Sequence, residues 1–123
     1  MKTVLVVDDT DLLRNLLHHG LRPYFRILTA IDAAEAYDLI VKFRPDAVVL
    51  DIQMPGEMDG IALCEKIKVD HRLRSTHILL ATADADAALD NLGGDRELRA
   101  DDLVLKPFSI QDIVNKLNKA LHK

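Results

Sequence analysis

Short apolar runs alternate with helical patterns along the whole chain of 123 residues. The runs are rich in Val, Ile and Leu, which is typical of strands in a parallel sheet that is covered on both faces. We predict strands at residues 3–8, 25–30, 46–51, 77–82 and 102–106. Right-handed helical crossovers join such strands, so the alternation predicts one α/β domain with the (βα)5 architecture and helices on both faces.

Helical patterns fill the segments between the predicted strands. We predict helices over residues 11 to about 22, 33–43, 59–69 and 83–90, and a last one that begins after Ser109. The fourth is irregular, because Gly93-Gly94 ends or breaks it. The second begins with the pattern of a capping box, Asp32 followed by Glu35. The first carries a leucine stripe that is predicted to face the core: Leu12, Leu13, Leu16, Leu17 and Leu21.

Charged residues stand at the carboxyl ends of three predicted strands. Asp8-Asp9 follows Val4–Val7, Asp51 follows Ala47–Leu50, and Lys106 follows Leu103–Leu105. In flavodoxin-like sheets, with strand order 2-1-3-4-5, the ligand binds at the carboxyl edge between strands 1 and 3. The three acids and the lysine therefore predict a divalent metal site with a phosphoryl group beside it.

Electrostatic repulsion argues that this acid cluster is functional. Two unit charges 4 Å apart repel by roughly 4 kcal/mol at an effective dielectric constant near 20. That is large beside a domain stability of about 5–15 kcal/mol. Magnesium prefers such oxygen ligands, and a lone carboxylate such as Asp51 can act as a nucleophile towards phosphorus. Lys106 and the hydroxyl of Thr82 are placed to bind the phosphoryl oxygens.

Composition excludes several other classes of protein. The net charge of −4, from 16 basic and 20 acidic residues, argues against direct binding to nucleic acid. The longest apolar stretches have four residues, which is too short to span a membrane. The N-terminus has no signal-peptide pattern, and the one cysteine, Cys64, is predicted to pack as a small hydrophobe. We therefore expect a cytoplasmic protein.

Five motifs in this chain resemble those of a known family. They are Val-Leu-Val-Val-Asp8-Asp9, Val-Val-Leu-Asp51-Ile-Gln-Met54-Pro55, Met58-Asp59-Gly60, Leu-Leu-Ala-Thr82-Ala83 and Lys106-Pro107-Phe108. Together they resemble the receiver domains of response regulators in two-component signalling, including the chemotaxis response regulators. The resemblance spans the whole chain and implies a flavodoxin-like three-layer sandwich that serves as a phosphorylation-controlled switch.

The resemblance also implies roles for individual residues. Asp51 would be the phosphoacceptor, and Asp9 and Asp51 would bind Mg²⁺, or Mn²⁺ in its place. Asp8 would bind the metal directly or through water, and the backbone carbonyl of Gln53 would complete the protein ligands. Thr82 and Lys106 would bind the phosphoryl group, and the Lys106–Pro107 bond would be cis.

Partners follow from the same resemblance. A sensor histidine kinase or a histidine phosphotransfer protein would supply the phosphoryl group. The downstream protein would bind the face made by helix 4, strand 5 and helix 5. We expect residues 1–123 to form a single receiver domain without an output domain, acting by protein contact. The alternative is that they form one domain of a longer protein. It would catalyse only its own phosphorylation and autodephosphorylation.

The chain departs from the commonest family pattern in three places. One extra residue follows Pro55, and two extra residues lie between Thr82 and Lys106, beside the irregular fourth helix. Leu103 stands where many members carry an aromatic ring, so Thr82 is expected to move without such a ring following it. Gln53 and Asp84 are predicted to set the lifetime of the phosphorylated form.

Two other functions stay open at this point. Asp9-Thr10-Asp11 superficially matches the motif of magnesium-dependent phosphatases of the haloacid-dehalogenase type. In that family, however, a lysine precedes a late acidic pair, whereas here Asp101-Asp102 precedes Lys106 and is interpreted as exposed turn residues. A degenerate receiver that only binds a partner is the third interpretation, and the intact set of acids argues against it.

Overall fold

Five parallel strands form one sheet within residues 1–51, 60–82 and 100–121, the part of the chain described by this computed structural model. The strands are β1 (Thr3–Val7), β2 (Arg26–Ala30), β3 (Ala47–Asp51), β4 (His77–Thr82) and β5 (Asp102–Leu105). Their order is β2-β1-β3-β4-β5. This confirms the predicted flavodoxin-like sheet and places β1 beside β3 at its centre.

The helices lie close to their predicted positions. They are α1 (Asp11–Leu21), α2 (Ala33–Phe43), α3 (Gly60–Val69) and a C-terminal helix (Ile110–Leu121). Asp32 caps α2 as predicted, because its carboxylate accepts a hydrogen bond of 2.8 Å from the backbone N–H of Glu35. The predicted helix over 83–90 lies outside the described residues.

Two hydrophobic cores hold the helices against opposite faces of the sheet. Successive residues of a strand point to opposite faces, so Val4 and Val6 of β1 enter one core while Leu5 and Val7 enter the other. Helices α2 and α3 cover the Leu5 side, and α1 and the C-terminal helix cover the Val4 side. Full burial of one such side chain contributes about 1.5–3 kcal/mol. Cys64 is fully buried on the α3 side, as predicted.

The prediction for the leucine stripe of α1 was wrong in part. Leu17 and Leu21 are buried and Leu13 packs against them, but Leu12 is 78% exposed and Leu16 is 56% exposed. Neighbouring residues on a helix are about 100° apart. The face centred on Leu13, Leu17 and Leu21 meets the sheet, so Leu12 and Leu16 turn towards solvent.

Close contact between α1 and the C-terminal helix depends on Gly20. A Cβ atom at this position would lie 2.6 Å from the Cδ1 atom of Ile110 and 2.7 Å from its Cγ1 atom. No side chain fits there unless Ile110 moves, because real Cβ contacts are longer. Gly20 therefore lets Ile110, the first residue of the C-terminal helix, pack closely against α1.

Asp101 is an exposed residue in a bend before β5, as predicted, whereas the prediction was wrong for Asp102, which is only partly exposed and lies in the strand. Asp102 begins β5, and Asp101 binds across to other elements. One oxygen of Asp101 accepts a hydrogen bond from the backbone N–H of Ile78 and forms an ion pair with Nζ of Lys68, both at 2.7 Å. Lys68 Nζ also donates to the backbone carbonyls of Arg74, at 3.0 Å, and Thr76, at 2.7 Å. Lys68 therefore joins the end of α3 to the beginnings of β4 and β5.

Replacement of Lys68 tests this link. Lys68→Met should lower the free energy of unfolding by about 1–3 kcal/mol, because it removes donors from two carbonyls and one carboxylate. Urea unfolding at constant ionic strength measures the change. The matched control is Lys119→Met, on the exposed side of the C-terminal helix, which should change stability by less than about 0.5 kcal/mol. Equal losses in the two variants would show that Lys68 has no special part in the fold.

Candidate functional site

The register of the sheet brings the predicted site residues to one edge. Val7 of β1 pairs with Leu50 of β3, so the next residues, Asp8 and Asp51, stand side by side. The backbone N–H of Lys106 donates 2.8 Å to the carbonyl of Thr82, which places the ends of β4 and β5 together. The site therefore forms because these parallel strands end at the same edge of the sheet.

The acids form the cluster that the sequence predicted. One carboxylate oxygen from each of Asp8, Asp9 and Asp51 lies within 4.8 Å of the other two. Asp8 and Asp51 are buried, whereas Asp9 is exposed to solvent. Magnesium binds oxygen at about 2.0–2.1 Å, so two oxygens on opposite sides of one ion are roughly 4 Å apart. Adjacent oxygens on such an ion are roughly 2.9 Å apart. The three carboxylates therefore fit a hard divalent cation in kind and number, and their oxygens would move closer together to bind it.

Lys106 supplies the positive charge of the site. Its Nζ atom lies 3.1 Å from Oδ2 of Asp51, and they form a hydrogen-bonded ion pair. Asp51 is only 8% exposed, and a buried carboxylate is strongly disfavoured unless it is paired. Lys106 therefore provides the charged partner of this buried carboxylate. The Lys106–Pro107 bond is cis, as the resemblance implied.

Burial raises the pKa of the Asp8 carboxyl above its ordinary value of 3.8, and the negative charge of Asp51 adds to this shift. The backbone N–H of Thr10, 2.8 Å from Oδ1 of Asp8, and the charge of Lys106 act in the opposite direction. The folded chain thus holds this proton more tightly than the unfolded chain. Asp8 therefore makes the protein less stable as pH rises from 3.8 through the raised pKa.

One residue at this site, Arg14, was not predicted from the sequence. One of its nitrogens donates 2.8 Å to the backbone carbonyl of Asp8, and another pairs with the carboxylate of Asp11. The spacing of Asp11 and Arg14 in a helix, three residues apart, is a signal that the sequence did contain. The contact with the Asp8 carbonyl carries no such signal, because it depends on how the chain turns from β1 into α1.

Of the remaining residues singled out in the sequence, the structure describes Thr82 and Leu103. Thr82 is buried at the end of β4, on the same edge as Asp51. Gln53, Met58-Asp59 and Asp84 lie outside the described residues, as does the extra residue after Pro55. Leu103 is partly buried in β5 and packs against the core on the α3 side.

The chain belongs to the response regulator receiver domain family, whose sequence model matches residues 4–118. It is 38% identical over 122 residues to a protein of Guillardia theta named probable transcriptional regulator ycf27. That alignment covers 98% of this chain but 45% of the relative, so the chain spans less than half of the relative's length.

Solved structures agree with this assignment. The chemotaxis response regulator CheY4 of Vibrio cholerae is 27% identical, with a TM-score of 0.85 over 98% of this chain and 99% of that one. The signal receiver domain of a signal transduction histidine kinase from Syntrophus aciditrophicus is 28% identical, with a TM-score of 0.87 over 99% and 91% of the two chains. The predicted family and fold are confirmed.

Membership of the family establishes the general function. The chain is a receiver domain of two-component signalling, which accepts a phosphoryl group and acts as a switch. Receiver domains bind Mg²⁺ at a cluster of aspartates and interact with histidine kinases and downstream effectors. Among the helices of the described ranges, none has the length and apolar composition that a membrane span needs.

Removal of one acid tests the electrostatics of the cluster. Asp9→Ala should raise the metal-free stability by about 1 kcal/mol at low salt, because it relieves repulsion from Asp8 and Asp51. It should also weaken Mg²⁺ binding. Chemical denaturation without metal measures the first effect, and calorimetric titration measures the second.

Salt and a distant acid serve as controls for this variant. High salt should reduce the gain in stability, because salt screens an exposed carboxylate. Asp38→Ala, which removes an equal charge from the exposed side of α2, should leave Mg²⁺ affinity unchanged. A metal-free Asp9→Ala protein that is less stable than wild type would contradict the view that these acids repel one another.

Proposed function

We propose that Asp51 is the phosphoacceptor of this receiver domain. The observation that carries the proposal is the position of its carboxylate, buried between the acid cluster and Lys106 Nζ, 3.1 Å away. An Asp51 oxygen attacks the phosphorus of a phosphohistidine, an O–P bond forms, and the P–N bond breaks. The electron pair of that bond returns to the imidazole of the donor, which is a sensor histidine kinase or a histidine phosphotransfer protein.

The acids provide the metal site in this proposal. Asp8, Asp9 and Asp51, with the backbone carbonyl of Gln53, would hold Mg²⁺, and Mn²⁺ could substitute for it. When bound, the ion neutralises the oxygens of the transferring phosphoryl group. The carboxylate spacing in this chain supports that assignment, and the backbone N–H of Thr10 keeps Asp8 oriented in the absence of metal.

Lys106 and Thr82 bind the phosphoryl group once it is on Asp51. The Lys106 ammonium, which already contacts Asp51, turns from that carboxylate to a phosphoryl oxygen nearby. Thr82 donates its hydroxyl to another oxygen from the end of β4. Gln53 and Asp84 remain the residues predicted to control attack by water, and therefore the lifetime of the phosphorylated form.

The output surface is proposed to include β5 and the C-terminal helix, together with the predicted fourth helix. A groove of about 510 Å³ lies between the first two, lined by Leu103, Val104, Leu105, Asp112, Asn115 and Lys116. Leu105 is half-exposed there and offers an apolar contact to a protein target. Leu103 has no aromatic ring that could rotate. A movement of Thr82 therefore reaches this groove through β5 itself.

Protein contact remains the proposed mode of action for this chain. The net charge of −4 does not favour direct contact with nucleic acid. The kinase, the target and the cytoplasmic location are parts of the proposal.

The structure favours a receiver over a hydrolase of the haloacid-dehalogenase type. Asp11, the second acid of the superficial motif, is 84% exposed and pairs with Arg14 instead of joining the cluster. Asp101-Asp102 lies at the start of β5, whereas Lys106 follows its end. The late acidic pair is therefore at the opposite edge of the sheet from the lysine.

A small-molecule phosphodonor tests the phosphoacceptor. With acetyl phosphate and Mg²⁺, intact-protein mass spectrometry should show one added phosphoryl group on the wild type, because the acid cluster and Lys106 activate Asp51. Asp51→Asn should show none, and the control Asp38→Asn should be modified like the wild type. Chelation of the metal should prevent the modification.

Failure of the wild type to gain mass would support the degenerate receiver that only binds a partner. Modification of Asp51→Asn to the same extent would place the phosphoryl group elsewhere. A parallel assay with phosphate esters separates the enzyme alternative: sustained release of phosphate over many turnovers would favour the hydrolase, and a single modification would favour the receiver.

A further inference from the structure

We propose that Arg14 is a positioning residue of the metal site, which fixes the direction of Asp9. This inference rests on the proposed function, since it concerns the same Mg²⁺ site. Arg14 does not belong to the acid cluster or to the phosphoryl-binding pair. It lies on α1, and it reaches back to the segment that carries the acids.

The contacts of Arg14 join two parts of the loop between β1 and α1. One guanidinium nitrogen donates 2.8 Å to the carbonyl of Asp8, and another pairs with the carboxylate of Asp11. The Arg14 side chain is only 14% exposed. A guanidinium is planar and presents its donors in a fixed fork, so holding both acceptors fixes their relative positions.

The carbonyl of Asp8 controls where Asp9 points. It belongs to the planar peptide unit that joins Asp8 to Asp9, so a bond to this oxygen restrains the backbone at Asp9. The carboxylates of Asp8 and Asp51 have their own donors, the N–H of Thr10 and the Nζ of Lys106. In the part of the chain that the structure describes, no donor reaches the exposed carboxylate of Asp9. Its direction therefore depends on the peptide unit that Arg14 holds.

A purely electrostatic role for Arg14 gives the opposite expectation. Its positive charge beside the acids repels an incoming cation, so its removal would strengthen Mg²⁺ binding if charge alone mattered. Loss of the restraint on Asp9 would weaken the binding. The sign of the change in affinity therefore distinguishes the two roles.

The experiment measures Mg²⁺ affinity by calorimetry in wild type, Arg14→Met, Arg14→Lys and Arg26→Met. Arg14→Met should bind about tenfold more weakly, as is usual when the support of a metal ligand is lost. Arg14→Lys keeps the charge but loses the planar fork, and should bind roughly threefold more weakly. Arg26→Met, at the exposed start of β2 near the opposite edge, removes the same charge and should leave affinity unchanged.

Nuclear magnetic resonance provides a second measurement on the metal-free protein. The amide of Asp9 shares its peptide unit with the Asp8 carbonyl, so its ¹⁵N shift should move in Arg14→Met while that of Asp101 stays in place. Unfolding measured on the same samples shows whether the variants are folded. Should Arg14→Met fail to fold, Arg14→Lys decides by the same two measurements.

Unchanged or tighter Mg²⁺ binding by Arg14→Met, or wild-type affinity in Arg14→Lys, would overturn the inference. A loss of stability without a loss of affinity would overturn it too, since Arg14 would then act only in the fold. Absence of Mg²⁺ binding by the wild type itself would instead overturn the proposed metal site, and with it this inference.

Discussion

Repulsion among the carboxylates of Asp8, Asp9 and Asp51 is the constraint around which this molecule is organised. One oxygen of each lies within 4.8 Å of the others, and two of the three side chains are buried. Burial and the charge of Asp51 raise the pKa of Asp8, which shows that the fold opposes the ionised state. Lys106 and the N–H of Thr10 offset part of that opposition, and the proposed divalent cation would offset more of it. The switch therefore depends on a site that is incomplete without its ligands.

The rest of the fold keeps the acids together against this repulsion. Strands β1 and β3 are central and adjacent, so their ends cannot separate without loss of sheet hydrogen bonds and of both cores. Lys68 ties α3 to the beginnings of β4 and β5 at the opposite edge. Gly20 admits Ile110 and brings the C-terminal helix against α1. The two cores and the contacts of Lys68 thus stabilise the fold enough to hold the three mutually repelling carboxylates together at the carboxyl edge of the sheet.

Sequence patterns predicted the strands and helices well, because the periods of a strand and of a helix can be read from residues that are close together in the sequence. The ends of the apolar runs also predicted which acids meet, since parallel strands finish at one edge. Prediction was wrong or incomplete where the outcome depended on tertiary contacts. Leu12 and Leu16 belong to a leucine-rich helix with two possible buried faces, and only packing selects one. The partner of Asp101 is Lys68, far away in sequence, and the contact of Arg14 with the Asp8 carbonyl depends on loop conformation.

Anomalous diffraction from a crystal soaked in Mn²⁺ shows whether the three acids bind a divalent cation. Mn²⁺ takes the same oxygen ligands as Mg²⁺, and its position can be read without assumptions about chemistry. We expect one strong peak between the carboxylates of Asp8, Asp9 and Asp51, on the side away from Lys106 Nζ. A site that stays empty at saturating Mn²⁺, or a peak only at other acids such as Asp70 or Asp101, would contradict it.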